Sequence, residues 1–194
     1  MKLEVRPVTA DRWADFERVM GPRGAYSGCW CMWWRVESRR SFDGPAKERN
    51  ARMKRAMKRL VSSGVVPGVL AYVDGEPAAW CSIAPRDEFA ALERSRTYAR
   101  IDDAPVWSVV CFYAAKEFRG DGLMTNVLKS ATEWARDQGA RVIEGYPVEP
   151  SAKAAPVDVY MGTRSAFERA GFREVARTGS GKPIMRRTVR AGRT

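Results

Sequence analysis

Residues 119–125 read Arg-Gly-Asp-Gly-Leu-Met-Thr, directly after the apolar run VWSVVCFYAA and directly before a helical pattern. A strand, a glycine-bearing elbow and a helix in that order make an anion site. The first N–H groups of a helix lack intrachain partners, and the helix dipole places partial positive charge there. Glycine leaves no Cβ between main chain and phosphate, so Gly120 and Gly122 permit close approach. Arg119 can add a charge-assisted contact. An exposed helix end contributes only about 0.3–1 kcal/mol, so several N–H groups must act together. Two phosphate motifs fail here. Gly120 and Gly122 are followed by Thr125 where the dinucleotide fingerprint needs a third glycine, and no P-loop string occurs.

The chain contains no histidine, which removes the commonest general base and the commonest metal ligand. Acid–base chemistry therefore falls to carboxylates, tyrosine, cysteine, lysine, water or main chain. Glu144 is a lone carboxylate in the apolar run RVIEGYPV. Burial would raise its pKa into the range of a useful base; the alternative is a carboxylate paired with an arginine. Cys29 and Cys31 form C-x-C without a second pair, a poor tetrahedral set, so packing is expected there and no metal.

The elements that must position these residues follow from period and punctuation. Leu3 to Pro7 reads as a strand. Thr9 or Asp11 is placed to cap a helix running to about Met20. The stretch 21–40 is rich in turn formers and aromatics. A helix from about Pro45 to Ser62 carries Met53, Met57, Leu60 and Val61 as its stripe. GVLAYVDGEPAAWCSIAP is a hairpin turning at Asp74-Gly75. A polar, charged connection spans about 86–104. The run 106–115 is apolar enough to be covered on both faces. A helix from Leu123 to about Gln138, the strand RVIEGYPV, a loop over about 147–159, a short helix near 164–170 and a terminal strand pair complete the order. That order is α/β, with a mixed sheet and helices on both faces.

At 194 residues one domain over 1–194 is expected. The net charge of +11, from 34 basic and 23 acidic residues, favours a phosphorylated ligand, nucleic acid or an anionic surface. The helix over about 45–62 holds seven cationic side chains against Glu48 alone, the one feature that would suit nucleic acid. No run reaches the roughly 18 apolar residues of a membrane span, and the first residues show no apolar signal core. Four cysteines are too few for a disulfide scaffold, so a cytoplasmic setting without a membrane partner is expected.

The string Arg119-Gly120-Asp121-Gly122-Leu123-Met124 resembles the R/Q-x-x-G-x-G/A coenzyme A loop of the GNAT superfamily of N-acyltransferases. Met124 departs from the small residue usual at the last place. The element order is similar to the GNAT fold across nearly the whole chain, and SAFERAGFREV resembles that family's LYEKLGF segment. The segments CWCMWW, LAYVDGEPAAWCSIAPR, IEGYPV, YMGTRSAFERAGF and PIMR also look like an uncharacterised bacterial group within it. The resemblance implies a mostly antiparallel sheet with a splay between strands 4 and 5. Acetyl-CoA would lie there, with main chain at Phe112, Tyr113 and Ala114 along its pantetheine. The N–H groups from Gly120 through Leu123 and Met124 to Thr125 would hold its diphosphate.

By the same resemblance, an amine attacks the thioester directly in a ternary complex, with a strand-4 N–H polarising the carbonyl. Glu144 is then the base. The family's usual tyrosine in the LYEKLGF segment is Phe167 here, which cannot protonate the leaving thiolate. Tyr160 is the substitute, with Tyr113 and Tyr146 as other phenols. Cys111 would permit a ping-pong route. Trp30, Trp33 and Trp34, with Tyr146, would line the acceptor pocket; the competing role for the tryptophans is a satellite core. The implied activity is acetyl transfer to a small-molecule or peptide amine. The alternatives are an acyl-CoA-binding protein without turnover and a basic nucleic-acid module. Many relatives form homodimers, but no interface signature is visible.

Overall fold

The computed structural model describes residues 2–120, 122–149 and 156–190. Among them, seven strands form one sheet: β1 (Leu3–Pro7), β2 (Val69–Val73), β3 (Glu76–Pro85), β4 (Trp107–Ala114), β5 (Val142–Gly145), β6 (Arg173–Arg177) and β7 (Pro183–Thr188). Their spatial order is β1-β2-β3-β4-β5-β7-β6. Every neighbour pair is antiparallel except β4 with β5. The hairpin turns at Asp74 (φ 48°) and Gly75 (φ 88°), two positive φ values that match the twist of the flanking strands.

Each face of the sheet buries an apolar layer. On one face lie α1 (Trp13–Met20), α2 (Ala46–Ser62) and the aromatic loop between them, burying Phe16, Met20, Met53, Met57 and Trp30 with Trp80. On the other lies α4 (Leu123–Asp137), which turns Val127, Leu128, Ala131 and Ala135 inward, joined by α5 (Arg164–Arg169) through Phe167. This is the helical period read from the sequence, set against strands that alternate between two covered faces.

One expectation is corrected. Neither Thr9 nor Asp11 caps α1: the Thr9 hydroxyl donates to Asp11 at 2.5 Å, and a short 3-10 turn over Ala10–Arg12 precedes the helix. The polar, charged connection over 86–104 carries structure that its composition did not announce. It forms one helical turn, α3 (Ala90–Glu93), and buries Phe89, Leu92, Tyr98 and the side chain of Arg86. Arg86 is paired inside, as buried charges must be. No helix among the described residues is long and apolar enough to cross a membrane.

Candidate active site

The site begins with a register change. Ser82 faces Cys111, but Ile83 faces Val109, so Val110 is an extra residue on β4. Such a bulge bends its strand. β4 then pairs with β5 only through Trp107–Ile143, Ser108–Glu144 and Val109–Gly145. Beyond those rungs the two parallel strands are unpaired, and a gap opens between them.

The elbow lies past the end of β4. Gly120 (φ 113°) and Gly122 (φ 71°) take conformations that side chains disfavour, and Gly122 is the N-cap of α4. A Cβ at either glycine would meet nothing within 4 Å, so the elbow faces open space. Among the described residues no acidic side chain stands in the first turn of α4, where the helix dipole is positive. Leu123 and Thr125 are buried, and Met124 packs against the core rather than standing in the mouth. Arg119 folds back: its Nε donates to the Ala114 carbonyl at 3.0 Å and its guanidinium lies 5.8 Å from the Tyr113 ring centroid. It therefore ties the elbow to β4. Asp121 lies outside the described residues.

The gap is partly filled by the chain itself. The Phe112 N–H, expected to face the thioester, donates to the Tyr160 carbonyl at 2.6 Å. Thr163 forms a parallel bridge with Val148 beside it. Phe167 is fully buried and sits between two glycines: a Cβ at Gly145 would fall 2.1 Å from its ring and one at Gly162 2.7 Å. Those glycines exist to admit the ring, which stacks edge-on against Phe112 and Phe172. The sequence identified the missing phenol at 167 but gave no sign that its replacement floors the gap.

Glu144 and Tyr146 do not reach an open pocket. Glu144 is 2% exposed. Its Oε1 accepts from Arg86 Nη1 at 2.9 Å and from the Tyr146 hydroxyl at 2.6 Å, while Oε2 accepts from Arg186 Nε at 2.7 Å. Arg86 also donates to Glu93 at 2.5 Å and to the Tyr98 carbonyl at 2.6 Å, and Arg186 grips Asp102 at 2.6 and 3.0 Å. Burial pushes the Tyr146 phenol up, reinforced by the Glu144 charge. Burial pulls Arg86 down, but Tyr146, Glu93 and Glu144 outweigh it and leave the guanidinium raised. This is the paired carboxylate, doubled, in place of the expected free base. Two sequence-distant arginines supply the pairing: Arg86 and Arg186 close the segments SIAPR and PIMR, and nothing in either segment says that its arginine meets Glu144.

The acceptor side of the gap holds a cavity of about 420 Å³. Tyr26, Trp33, Trp34, Phe42 and Tyr160 supply its rings, Cys29, Cys31 and Cys111 its thiols, and Arg49 its cation. Trp33 is 39% exposed and forms part of the mouth, with the Arg39 guanidinium stacked 3.6 Å from its ring centroid. The Trp34 indole N–H has no acceptor among the described residues. Trp30 is corrected: it does not line this cavity but packs with Trp13 and Phe16, its Nε1 donating to Asn50 at 2.5 Å. The chain reverses sharply between Trp30 and Cys31, both at positive φ, which sends the alternate indole the other way.

The thiols form a chain: Trp80 Nε1 donates to Cys31 Sγ at 3.0 Å, and Cys31 lies 3.3 Å from Cys111. The Cys111 bond and burial push the Cys31 thiol far up. At Cys111 the Cys31 thiol pulls downward, but burial prevails and the net shift is upward. Raised thiols are poor nucleophiles, so these shifts work against a ping-pong route through Cys111. Burial pushes the Tyr160 phenol up as well.

A bulged strand, a parted parallel pair and a glycine elbow at a helix mouth define an acyl-CoA-dependent acyltransferase architecture. The acetyltransferase (GNAT) family model matches residues 30–162, and the chain belongs to that family. Comparison with curated proteins by sequence gives no match. Among solved structures, the chain is similar to aminoglycoside acetyltransferase AAC(6')-Ib with ribostamycin and coenzyme A, at 18% identity and TM-score 0.55, covering 97% of this chain and 94% of that one. The same enzyme with paromomycin and acetyl-CoA gives 16% and 0.53, over the same shares. A GNAT-family acetyltransferase from Streptococcus agalactiae gives 10% and 0.54, covering 97% and 96%. At these identities the likeness establishes the fold.

Proposed function

We propose that the protein transfers the acetyl group of acetyl-CoA to a small-molecule primary amine, by direct attack within a ternary complex, in a reducing cytoplasmic setting. The observation that carries this reading is the end of β4–β5 pairing at Val109 and Gly145, together with the glycine elbow at Gly120 and Gly122 that leads from β4 into α4. Pantetheine would enter the gap and the diphosphate would meet N–H groups of the first turn other than that of Leu123, which already donates to the Gly120 carbonyl at 3.0 Å. Solved relatives hold coenzyme A or acetyl-CoA together with an amine acceptor, which supports the same pairing here.

Catalysis then rests mainly on holding the two reactants together, where effective molarities of about 10⁵ M or more are attainable. Glu144 acts as a positioning residue that locks the last β4–β5 rungs, not as the base. Tyr26 and Tyr160 both line the cavity and keep their protons; Tyr160, whose own carbonyl accepts from Phe112 N–H on β4, is the donor to the departing sulfur. The Phe112 N–H must exchange its Tyr160 acceptor for the coenzyme before it can polarise a carbonyl. That requirement, with Phe167 in place of a phenol, also favours the second reading, an acyl-CoA binder without turnover.

Titration calorimetry with acetyl-CoA followed by thiol release over an amine panel decides the matter. Binding with amine-dependent release supports the transferase, binding without release supports the second reading, and no binding removes both.

A further inference from the structure

We infer that the cavity beside β4 selects an amine that is uncharged at neutral pH and carried on a flat apolar body, an aniline-type nitrogen, over alkylammonium and polycationic acceptors. The inference rests on the acetyltransferase reading for the reaction, and on the cavity alone for the selection.

The chamber is walled by aromatic rings and thiols, and among the described residues that line it the one formal charge is the Arg49 cation. Among the described residues no carboxylate lines it. Residues 150–155, PSAKAA, bring none by sequence. Asp43, Glu48 and Asp158 neighbour lining residues in the chain, but all three are exposed and none lines the wall. The remaining titratable groups facing the chamber stay neutral. Burial drives the Tyr26 phenol up to about 12 and raises Tyr160, and the three thiols are raised too. Arg39, stacked on Trp33 at the mouth, adds a second cation.

An ammonium entering this space would be desolvated with no counter-charge and repelled by Arg49. It must shed its proton first. An alkylamine with a conjugate-acid pKa near 10.4 is neutral in about one molecule in 2,500 at pH 7, whereas a nitrogen with a pKa near 5 is neutral in about 99%. The volume suits such an acceptor: about 420 Å³ lies toward the small end of the ~300–1,000 Å³ of ligand pockets. Trp33 and Trp34 offer faces for a ring.

The step balances without a carboxylate base. The nitrogen lone pair forms the N–C bond at the acetyl carbon. The C–S bond breaks with its electron pair going to sulfur. Tyr160 protonates the departing thiolate and the surplus nitrogen proton restores the phenol, giving amide and coenzyme A thiol. A nitrogen of low basicity releases that proton readily, which fits a site whose only nearby buried carboxylate, Glu144, is fully engaged.

The test uses the full chain and two readouts. Quenching of tryptophan fluorescence reports amine binding at pH 7, with 4-methylaniline against benzylamine and spermidine; thiol release with acetyl-CoA reports turnover from pH 6 to 8. The expected result is binding of 4-methylaniline at least tenfold tighter than of the other two, with release on it independent of pH. Val157→Glu, at an exposed wall position, should narrow that preference at least tenfold, and Trp33→Ala should weaken 4-methylaniline while leaving the acetyl-CoA Kd unchanged. Equal or tighter binding of benzylamine or spermidine, or an unaltered preference in Val157→Glu, overturns the inference. Failure of acetyl-CoA to bind at all would remove the acetyltransferase reading while the fluorescence comparison still decides selection.

Discussion

Replacing Glu144 by Gln separates a structural keystone from a catalytic base. In the native chain three donors converge on its two oxygens: Arg86, Tyr146 and Arg186, at 2.6–2.9 Å. Glutamine keeps one acceptor but turns an NH₂ donor toward an arginine and removes the negative charge. Removing one partner of a buried ion pair costs about 3–5 kcal/mol. Arg86 retains Glu93 and the Tyr98 carbonyl, and Arg186 retains Asp102, so the lower end, about 3 kcal/mol, is expected. For a chain of this size each kcal/mol lowers Tm by about 2–4 °C, giving a loss of about 6–12 °C. Differential scanning calorimetry measures it. Turnover per folded molecule should fall less than tenfold, against the roughly 10²–10⁴-fold of a lost base. A Tm held within about 1 °C together with a hundredfold loss of turnover would refute the reasoning and restore Glu144 as the base.

Gly122→Ala disfavours φ 71° by about 1–2 kcal/mol, so the elbow relaxes out of its binding conformation and calorimetry should show the acetyl-CoA Kd rising by up to about 5–30-fold; an unchanged Kd would mean the elbow does not hold the diphosphate. Tyr160→Phe should slow thiol release without altering that Kd; an undiminished rate would remove the phenol from the reaction. Acetyl-CoA should shift the ¹⁵N–¹H resonance of Phe112 as its bond to the Tyr160 carbonyl is exchanged, and a resonance that stays put at saturation places the coenzyme elsewhere. The Arg177 and Arg164 side chains hold the exposed Glu149 carboxyl at about 2. Because this folded pKa is depressed, its contribution to stability is full above the ordinary carboxylate range and is lost as pH falls toward 2. An NMR titration should find that midpoint, and Arg177→Ala should move it upward.

Much of the fold was legible because it is written in short-range terms. The Asp74-Gly75 turn, the glycine elbow before α4, the apolar stripe of α4 and the run that became β4 each follow from residue type and spacing within a dozen positions. Trp33, Trp34, Tyr160 and the thiols at 29, 31 and 111 were all in view as residues, but not as one cavity. The misreadings share a cause. Arg86 looked like one charge in a polar connection, Trp30 like a wall of the acceptor pocket, and the Phe112 N–H like a free donor.

The sequence by itself determined the elements, the order that makes the family recognisable and the helix mouth, because φ preference, helical period and turn chemistry act between near neighbours. The tertiary structure alone decided what each polar group does. Arg86 meets Glu144 across 58 positions, Arg186 meets it across 42, and Cys31 meets Cys111 across 80. Those pairings are fixed by strand register and by the bulge at Val110, and a carboxylate becomes a base or an anchor according to which charges that register sets beside it.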